Sequence, residues 1–228
     1  MEWLNKVKIN WDEISNKEEK ILVAKKIANK VKDGDIIGFG SGSTSYLAII
    51  EIAKKIKEEN INILAIPTSY EIKMLCNELG IPTTTILENK PDWSFDGADE
   101  VDQNNCLIKG RGAAMFKEKL NMVNSPITYI LVDKSKFVKE LGEKASIPIE
   151  VFPEAVNSVK EELADLGAEK ITLRLAKGKD GPVITENNNV ILDVKFIEIY
   201  DSLEKDIKSI TGVIESGLFI GYNIEIIK

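Results

Sequence analysis

Apolar positions along the first half of the chain switch between two spacings. Asp35-Ile36-Ile37-Gly38-Phe39, Ile61 to Ile66, Trp93-Ser94-Phe95 and Tyr129 to Val132 are short runs rich in β-branched and aromatic residues, the pattern of buried strands. Between them the apolar residues return every three or four positions. Lys17 to Val31 predicts an amphipathic helix with Ile21, Leu22, Ala24, Ile27 and Val31 toward the core. A second helix runs from Ser43 through Tyr46, Leu47, Ile49 and Ile50 to Lys57, and a third from Glu71 to Leu79, where Gly80-Ile81-Pro82 stops it. Thr83 to Leu87 has strand composition and is expected to add another strand. Strands alternating with helices specify α/β, a Rossmann-like open parallel sheet with helices on both faces.

After Gly142 the order changes. Ile147 to Val151 reads as a strand, Glu154 to Leu166 as a helix, Ile171 to Leu175 and Val190 to Asp193 as strands, Ser202 to Ile210 as a helix, and a strand begins at Val213. The sequence β-α-β-β-α-β predicts an inserted smaller ferredoxin-like α+β domain. Asn223 to Ile227 then returns to the first sheet. The expected division is residues 1–142, completed by 219–228, for the α/β domain and 143–218 for the insertion.

With 43% hydrophobic residues in 228, the chain can bury a sizeable core, and no apolar run approaches the length of a spanning helix. Met1-Glu2-Trp3 lacks the start of a signal peptide, so a cytoplasmic protein is expected. The net charge of −7, with both signs interspersed, offers no broad basic face for nucleic acid. There is no histidine. A base working near neutral pH must then be a carboxylate, lysine, cysteine or tyrosine, and histidine-containing zinc sites are excluded. Cys76 and Cys106 read as small apolar residues. An acid-only site for a hard cation at Asp96, Asp99, Glu100 and Asp102 lacks regular oxygen-ligand spacing, so no metal is expected.

Two clusters carry candidate chemistry. Gly40-Ser41-Gly42-Ser43-Thr44 joins the first strand to a helix, where amides and hydroxyls at the positive helix end suit a phosphate. A dinucleotide fingerprint would need glycine at Ser43 and an acid after the next strand, which ends in Pro67-Thr68-Ser69; a P-loop would need lysine at Gly42. One small phosphate fits better than a nucleotide. Asp96 to Lys119, reading DGADEVDQNNCLIKGRGAAMFKEK, sets acids at the end of a strand, a cationic glycine loop at Lys109-Gly110-Arg111-Gly112, and a helix from Ala113 carrying Glu118. Strand carboxyl ends are where ligands bind in open α/β sheets. Singly, each residue has a plainer reading: Glu118 as a solvated helix acid, Asp96 and Asp99 as turn formers, Ser43 or Thr44 as a helix cap. Together they mark an active-site edge.

The chain resembles the ribose-5-phosphate isomerase A family in GFGSGSTS (Gly38–Ser45), DGADEVD (Asp96–Asp102), KGRGAAMFKEK (Lys109–Lys119) and VDKSK (Val132–Lys136). LGEKASIPIEV, TENNNVILD and GVIESGLF extend the likeness over nearly the whole length. It departs at Ser41, where the family usually has threonine, at Arg111, usually glycine, at Lys117, commonly arginine, and at Asn188, commonly glycine. The resemblance implies an aldose–ketose isomerase that interconverts D-ribose 5-phosphate and D-ribulose 5-phosphate through an enediolate, in the non-oxidative pentose phosphate pathway. It implies Glu118 as base, Lys109 as stabiliser of the enediolate oxygens, and Asp96 as a helper in ring opening. Substrate binding would fall to Ser41, Gly42, Ser43, Thr44, Asp96, Gly97, Ala98, Asp99, Lys109, Gly110, Arg111, Gly112 and Lys136. It implies no cofactor, a small sugar phosphate as ligand, no nucleic-acid or membrane partner, and a homodimer or homotetramer. The alternative from another class is a noncatalytic sugar-phosphate-binding sensor on the same fold.

Overall fold

The computed structural model describes residues 15–228; the Met1-Glu2-Trp3 start lies outside them. Two compact units form. One comprises the described residues up to Gly97 with Lys117–Ser135 and Asn223–Lys228, the other Ala98–Phe116 and Lys136–Tyr222. Packing therefore groups 98–116 with the second unit, while motif order in the sequence groups it with the first.

In the first unit α1 (Lys17–Ala28) precedes β1 (Ile36–Phe39), α2 (Ser43–Glu59), β2 (Leu64–Pro67), α3 (Tyr70–Leu79) and β3 (Trp93–Gly97). In the second unit the short run Leu107–Ile108 is β5, paired with β4 (Glu100–Val101), and α4 spans Met115–Asn124, from Lys117 on in the first unit. β6 (Thr128–Leu131) and β12 (Ile224–Ile227) complete a five-stranded sheet in the order β12-β6-β3-β1-β2, parallel throughout. The chain leaves β1 toward β2 on one side and leaves β3 toward β6 on the other. The order reverses between β1 and β3, and such a switch point opens a crevice at the strands' carboxyl ends.

Ile37 and Phe39 alternate with Gly38 along β1, so they share one face of the sheet and join the core built with α1 and α2. On the opposite face a side chain at Gly38 would run into Ser94 and Asn121, so α4 packs there against bare backbone. The face of α1 differs from the expected one. Lys20, Val23, Ala24, Ile27 and Ala28 are buried, whereas Leu22 is 61% exposed. Thr83 to Leu87 is not a strand. Thr83 makes a single bridge to Ala65, after which the Thr84 and Thr85 hydroxyls donate to Glu88 Oε2 at 3.0 and 3.2 Å and turn the chain.

The second unit holds β7 (Ile147–Val151), α5 (Val156–Asp165), β8 (Ala168–Leu173), β9 (Val190–Phe196), α6 (Leu203–Ser209) and β10 (Val213–Ser216). Its antiparallel order β10-β7-β9-β8 is the ferredoxin-like arrangement the pattern predicts. Ile147, Ile149, Val151, Val159, Leu163, Leu192, Val194 and Ile207 form its core. A separate three-stranded sheet, β11-β5-β4, sets β11 (Leu218–Phe219) against β5. Asn188 takes the left-handed turn position with φ 63°.

Both cysteines are reduced. Burial pushes the Cys76 thiol up to about 12, and burial with the nearby Asp102 carboxylate raises Cys106. Since thiolate is the reactive form, maleimide at pH 8 should label the native protein at Cys106 at most, with Cys76 following only in denaturant. Mass spectrometry showing fast double labelling of native protein would contradict the burial of Cys76.

Candidate active site

The loop after β1 is bound to the carboxyl end of β3. Asp96 is buried, and its Oδ1 accepts from the Ser41 amide at 3.1 Å and the Gly97 amide at 2.8 Å. This closeness requires Gly40, because a Cβ there would fall on the Asp96 carboxylate. The Ser41 hydroxyl shares a 2.8 Å hydrogen bond with Thr68, whose Oγ1 in turn donates to Phe39 O. Gly42, at φ 86°, turns the chain into α2, and Ser43 and Thr44 occupy its first turn. Hydroxyls and the positive end of a seventeen-residue helix thus lie beside a fixed carboxylate.

Lys20 adds a cation to this cluster. It is only 4% exposed, and its Nζ donates to Ser43 Oγ at 3.1 Å. An ammonium at a helix N-terminus is opposed by the helix dipole. Part of the balance comes from Asp133, at the end of β6. Burial alone would raise that carboxyl, but hydrogen bonds from the Ser135 hydroxyl and amide and from Asn16, with the charge of Lys20, hold it below the ordinary range. The arrangement suits an anion with several oxygens, such as a phosphate.

Glu118 lies on α4 and is 5% exposed. It precedes by three residues, on the same side of the helix, Asn121, whose Nδ2 donates to Ile66 O at 2.9 Å. That bond fixes the helix against the end of β2. Lys117 points elsewhere, with its Nζ 5.0 Å from the Tyr70 ring centroid.

The remaining predicted residues belong to the second unit. Asp99 donates its amide to Ile108 O, and its Oδ2 accepts the Arg111 amide at 3.2 Å. Lys109 is 2% exposed, with its amide on Gly217 O at 2.8 Å and its Nζ 5.6 Å from the Phe219 ring centroid. Gly110 is left-handed at φ 97°, and Ala113 is left-handed too, at φ 61°. Ala98 and Gly112 complete the backbone of these loops, Arg111 is exposed, and Lys136 ends a 3-10 turn, half-buried. The other acids of the motif are occupied by backbone. Glu100 is fully buried and accepts the amides of Gly142, Lys144 and Ala145, while Asp102 Oδ1 accepts those of Asn104 and Cys106. A hard-cation site built on all four acids is thereby disfavoured. Among the described residues, no three His, Cys, Asp or Glu side chains are grouped to hold a metal.

A family model described as ribose 5-phosphate isomerase A (phosphoriboisomerase A) matches residues 64–227. The ribose-5-phosphate isomerase A of Methanocaldococcus jannaschii is 46% identical over 209 residues, 90% of this chain and 92% of that protein. The chain belongs to the ribose 5-phosphate isomerase A family. The solved structure of the M. jannaschii member superposes with a TM-score of 0.89 at 44% identity, covering 94% of this chain and 96% of that one. A D-ribose-5-phosphate isomerase solved in complex with phospho-erythronic acid matches equally, with a TM-score of 0.89 at 40% identity over 94% and 96% of the two chains.

Within the first unit the isomerase-family motifs GFGSGSTS and DGADEVD meet through the Ser41–Asp96 bond. Lys20 lies outside all of the quoted motifs. A signal for it exists: positions 20, 23, 24, 27 and 31 are spaced as one helix face, and a lysine on the buried face of an amphipathic helix asks for an anionic partner.

Proposed function

We propose that this protein interconverts D-ribose 5-phosphate and D-ribulose 5-phosphate. The observation that carries the proposal is the cluster in which the α2 N-terminus, Ser43 and the buried Lys20 adjoin Asp96, itself oriented by two amides. It offers a phosphate seat next to a carboxylate at a sheet switch point. The substrate's phosphate is held by Gly42, Ser43, Thr44 and Lys20, and its hydroxyls by Ser41, Asp96, Gly97, Ala98 and Asp99. As the ring opens, Asp96 takes the proton of the anomeric hydroxyl, the bond from C1 to the ring oxygen breaks to leave the C1 carbonyl, and the ring oxygen takes a proton from solvent to become a hydroxyl.

Isomerisation then moves one proton between C1 and C2. Glu118 removes it from C2 of the aldose and returns it to C1, while the oxygens exchange a proton of their own. Charge that develops on the enediolate oxygens is met by Lys109 and the Gly110–Gly112 backbone, fixed before the reaction begins. Lys136 contributes a further cation to substrate binding. No electron leaves the sugar, so no redox cofactor enters. The protein acts in the cytoplasm as an assembly of two or four copies, which light scattering on the purified protein would test.

The test is a coupled assay for ribulose 5-phosphate from ribose 5-phosphate, run in D₂O so that solvent deuterium entering the sugar is read by mass spectrometry. Turnover with deuterium incorporation is expected, since a proton resting on a carboxylate exchanges with solvent. Tight binding of ribose 5-phosphate without turnover would replace the isomerase with a sensor. Because no metal enters any step, exhaustive EDTA treatment should leave the rate within about two-fold of untreated enzyme, against the 10²-fold or larger losses expected when a catalytic charge is removed. Activity that vanished with EDTA and returned only with Mg²⁺ or Mn²⁺ would force the acids from Asp96 to Asp102 to be read as a metal site.

A further inference from the structure

Arg174, just beyond β8 and outside every motif so far discussed, reaches the glycine loop that follows β5. Its Nε donates to Asp193 Oδ2 at 2.9 Å and its Nη2 to Asp193 Oδ1, a bidentate pair that fixes the guanidinium plane. The remaining nitrogen, Nη1, donates to two successive carbonyls, Gly110 O at 3.2 Å and Arg111 O at 2.8 Å. The geometry points to Arg174 as a positioning residue for the Lys109–Gly112 loop, one that acts on the reaction through the backbone it holds and touches no substrate atom. The inference rests on the isomerase reading above.

The loop needs such a clamp. Two of its four residues are glycines, whose backbone freedom must be removed for the loop to hold one shape, and Ala113 immediately after it sits at φ 61°, a left-handed conformation that L-residues disfavour. In a trans peptide the carbonyl and the next N–H point in opposite directions. Drawing the Gly110 and Arg111 carbonyls toward Arg174 therefore turns the Arg111 and Gly112 amides away from it. The Arg111 amide meets Asp99 Oδ2 on that other side. One guanidinium and one carboxylate thus grip a peptide from both ends, directly after Lys109. Pro148 backs the turn, since a side chain at Gly110 would meet its Cγ at 3.0 Å. A lysine at 174 would keep the charge but not the fork that serves Asp193 and two carbonyls together.

The experiment compares wild type, Arg174→Lys and Asp193→Asn by coupled assay, by inhibition with 4-phosphoerythronate, whose planar carboxylate imitates the enediolate, by inorganic phosphate binding and by thermal melting. Misplacing oxyanion donors by about an ångström costs on the order of 10²-fold in rate. Arg174→Lys should therefore lose about 10- to 100-fold in kcat with KM within about three-fold, and phosphoerythronate inhibition should weaken by the same factor as kcat/KM. Phosphate binding should stay at the wild-type value. Asp193→Asn, which leaves Arg174 in place but loosens its plane, should shift kcat and inhibition in the same direction by less, and it serves alone if Arg174→Lys does not fold. Folded variants with wild-type kcat, or variants that lose phosphate binding, kcat and melting temperature together, overturn the positioning role. A wild type that does not turn over ribose 5-phosphate sinks the isomerase reading itself, whereas an active wild type with indifferent variants sinks only this inference.

Discussion

Glu118→Gln should lower kcat for ribose 5-phosphate by about 10² to 10⁴, the usual share of general acid–base catalysis, with KM little changed. Without histidine, the proton on C2 must be taken by some other group, and Glu118 is the carboxylate of α4 that sits on the Asn121 side of the helix. The bond from Asn121 to Ile66 O pins that helix to the end of β2, so the carboxylate is carried on a rigid support, as proton transfer to carbon requires. Glutamine preserves size and helix propensity, and circular dichroism and melting temperature should remain close to wild type. The variant should also stop washing solvent deuterium into the sugar. A folded Glu118→Gln protein with near-normal kcat would remove Glu118 as the base and make Asp96 the next carboxylate to test.

The sheet was legible because its signals are local. Each strand of the first unit is a short apolar run ending in turn residues, and the β-α-β-β-α-β order after Gly142 was readable from changes of period alone. Thr83 to Leu87 misled for a physical reason. Threonine and isoleucine favour strands on average, yet threonine hydroxyls also bond nearby groups, and here Glu88 captures two of them. On α1 spacing outranks hydrophobicity: the helix buries Lys20 and exposes Leu22, as the stripe through Val23, Ala24 and Ile27 demands.

Site residues divide along the same line. Ser41 to Thr44 follow β1 and Asp96 and Gly97 end β3, so each group could be proposed from one motif, and the sheet order sets the two strands side by side. Arg174 could not be found this way. It is separated from Gly110 by 64 positions, and its partners there are carbonyl oxygens, which every residue possesses and no sequence pattern marks. Glu100 shows the converse: it stands in the most acidic motif of the chain, yet three amides occupy it in anchoring the Gly142–Ala145 turn.

Lys20→Met should lower kcat/KM for ribose 5-phosphate by roughly 30- to 1000-fold, corresponding to about 2–4 kcal/mol for removing one partner of a buried charged contact. Methionine keeps the length and apolar stem that pack on the buried face of α1, so the loss isolates the ammonium. Its selectivity is the decisive feature. The ammonium donates to Ser43 at the start of α2, so it should act on the phosphate and have no part in proton transfer at C1 and C2. Unphosphorylated ribose, expected to be a very poor substrate of the wild type, should be turned over by Lys20→Met at the wild-type rate. Inorganic phosphate should raise the melting temperature of the wild type, as a ligand binding only the native state does, and should leave that of the variant nearly unmoved. An equal loss on both sugars, or phosphate stabilisation retained in the variant, would show that Lys20 supports the fold and that the phosphate is held elsewhere.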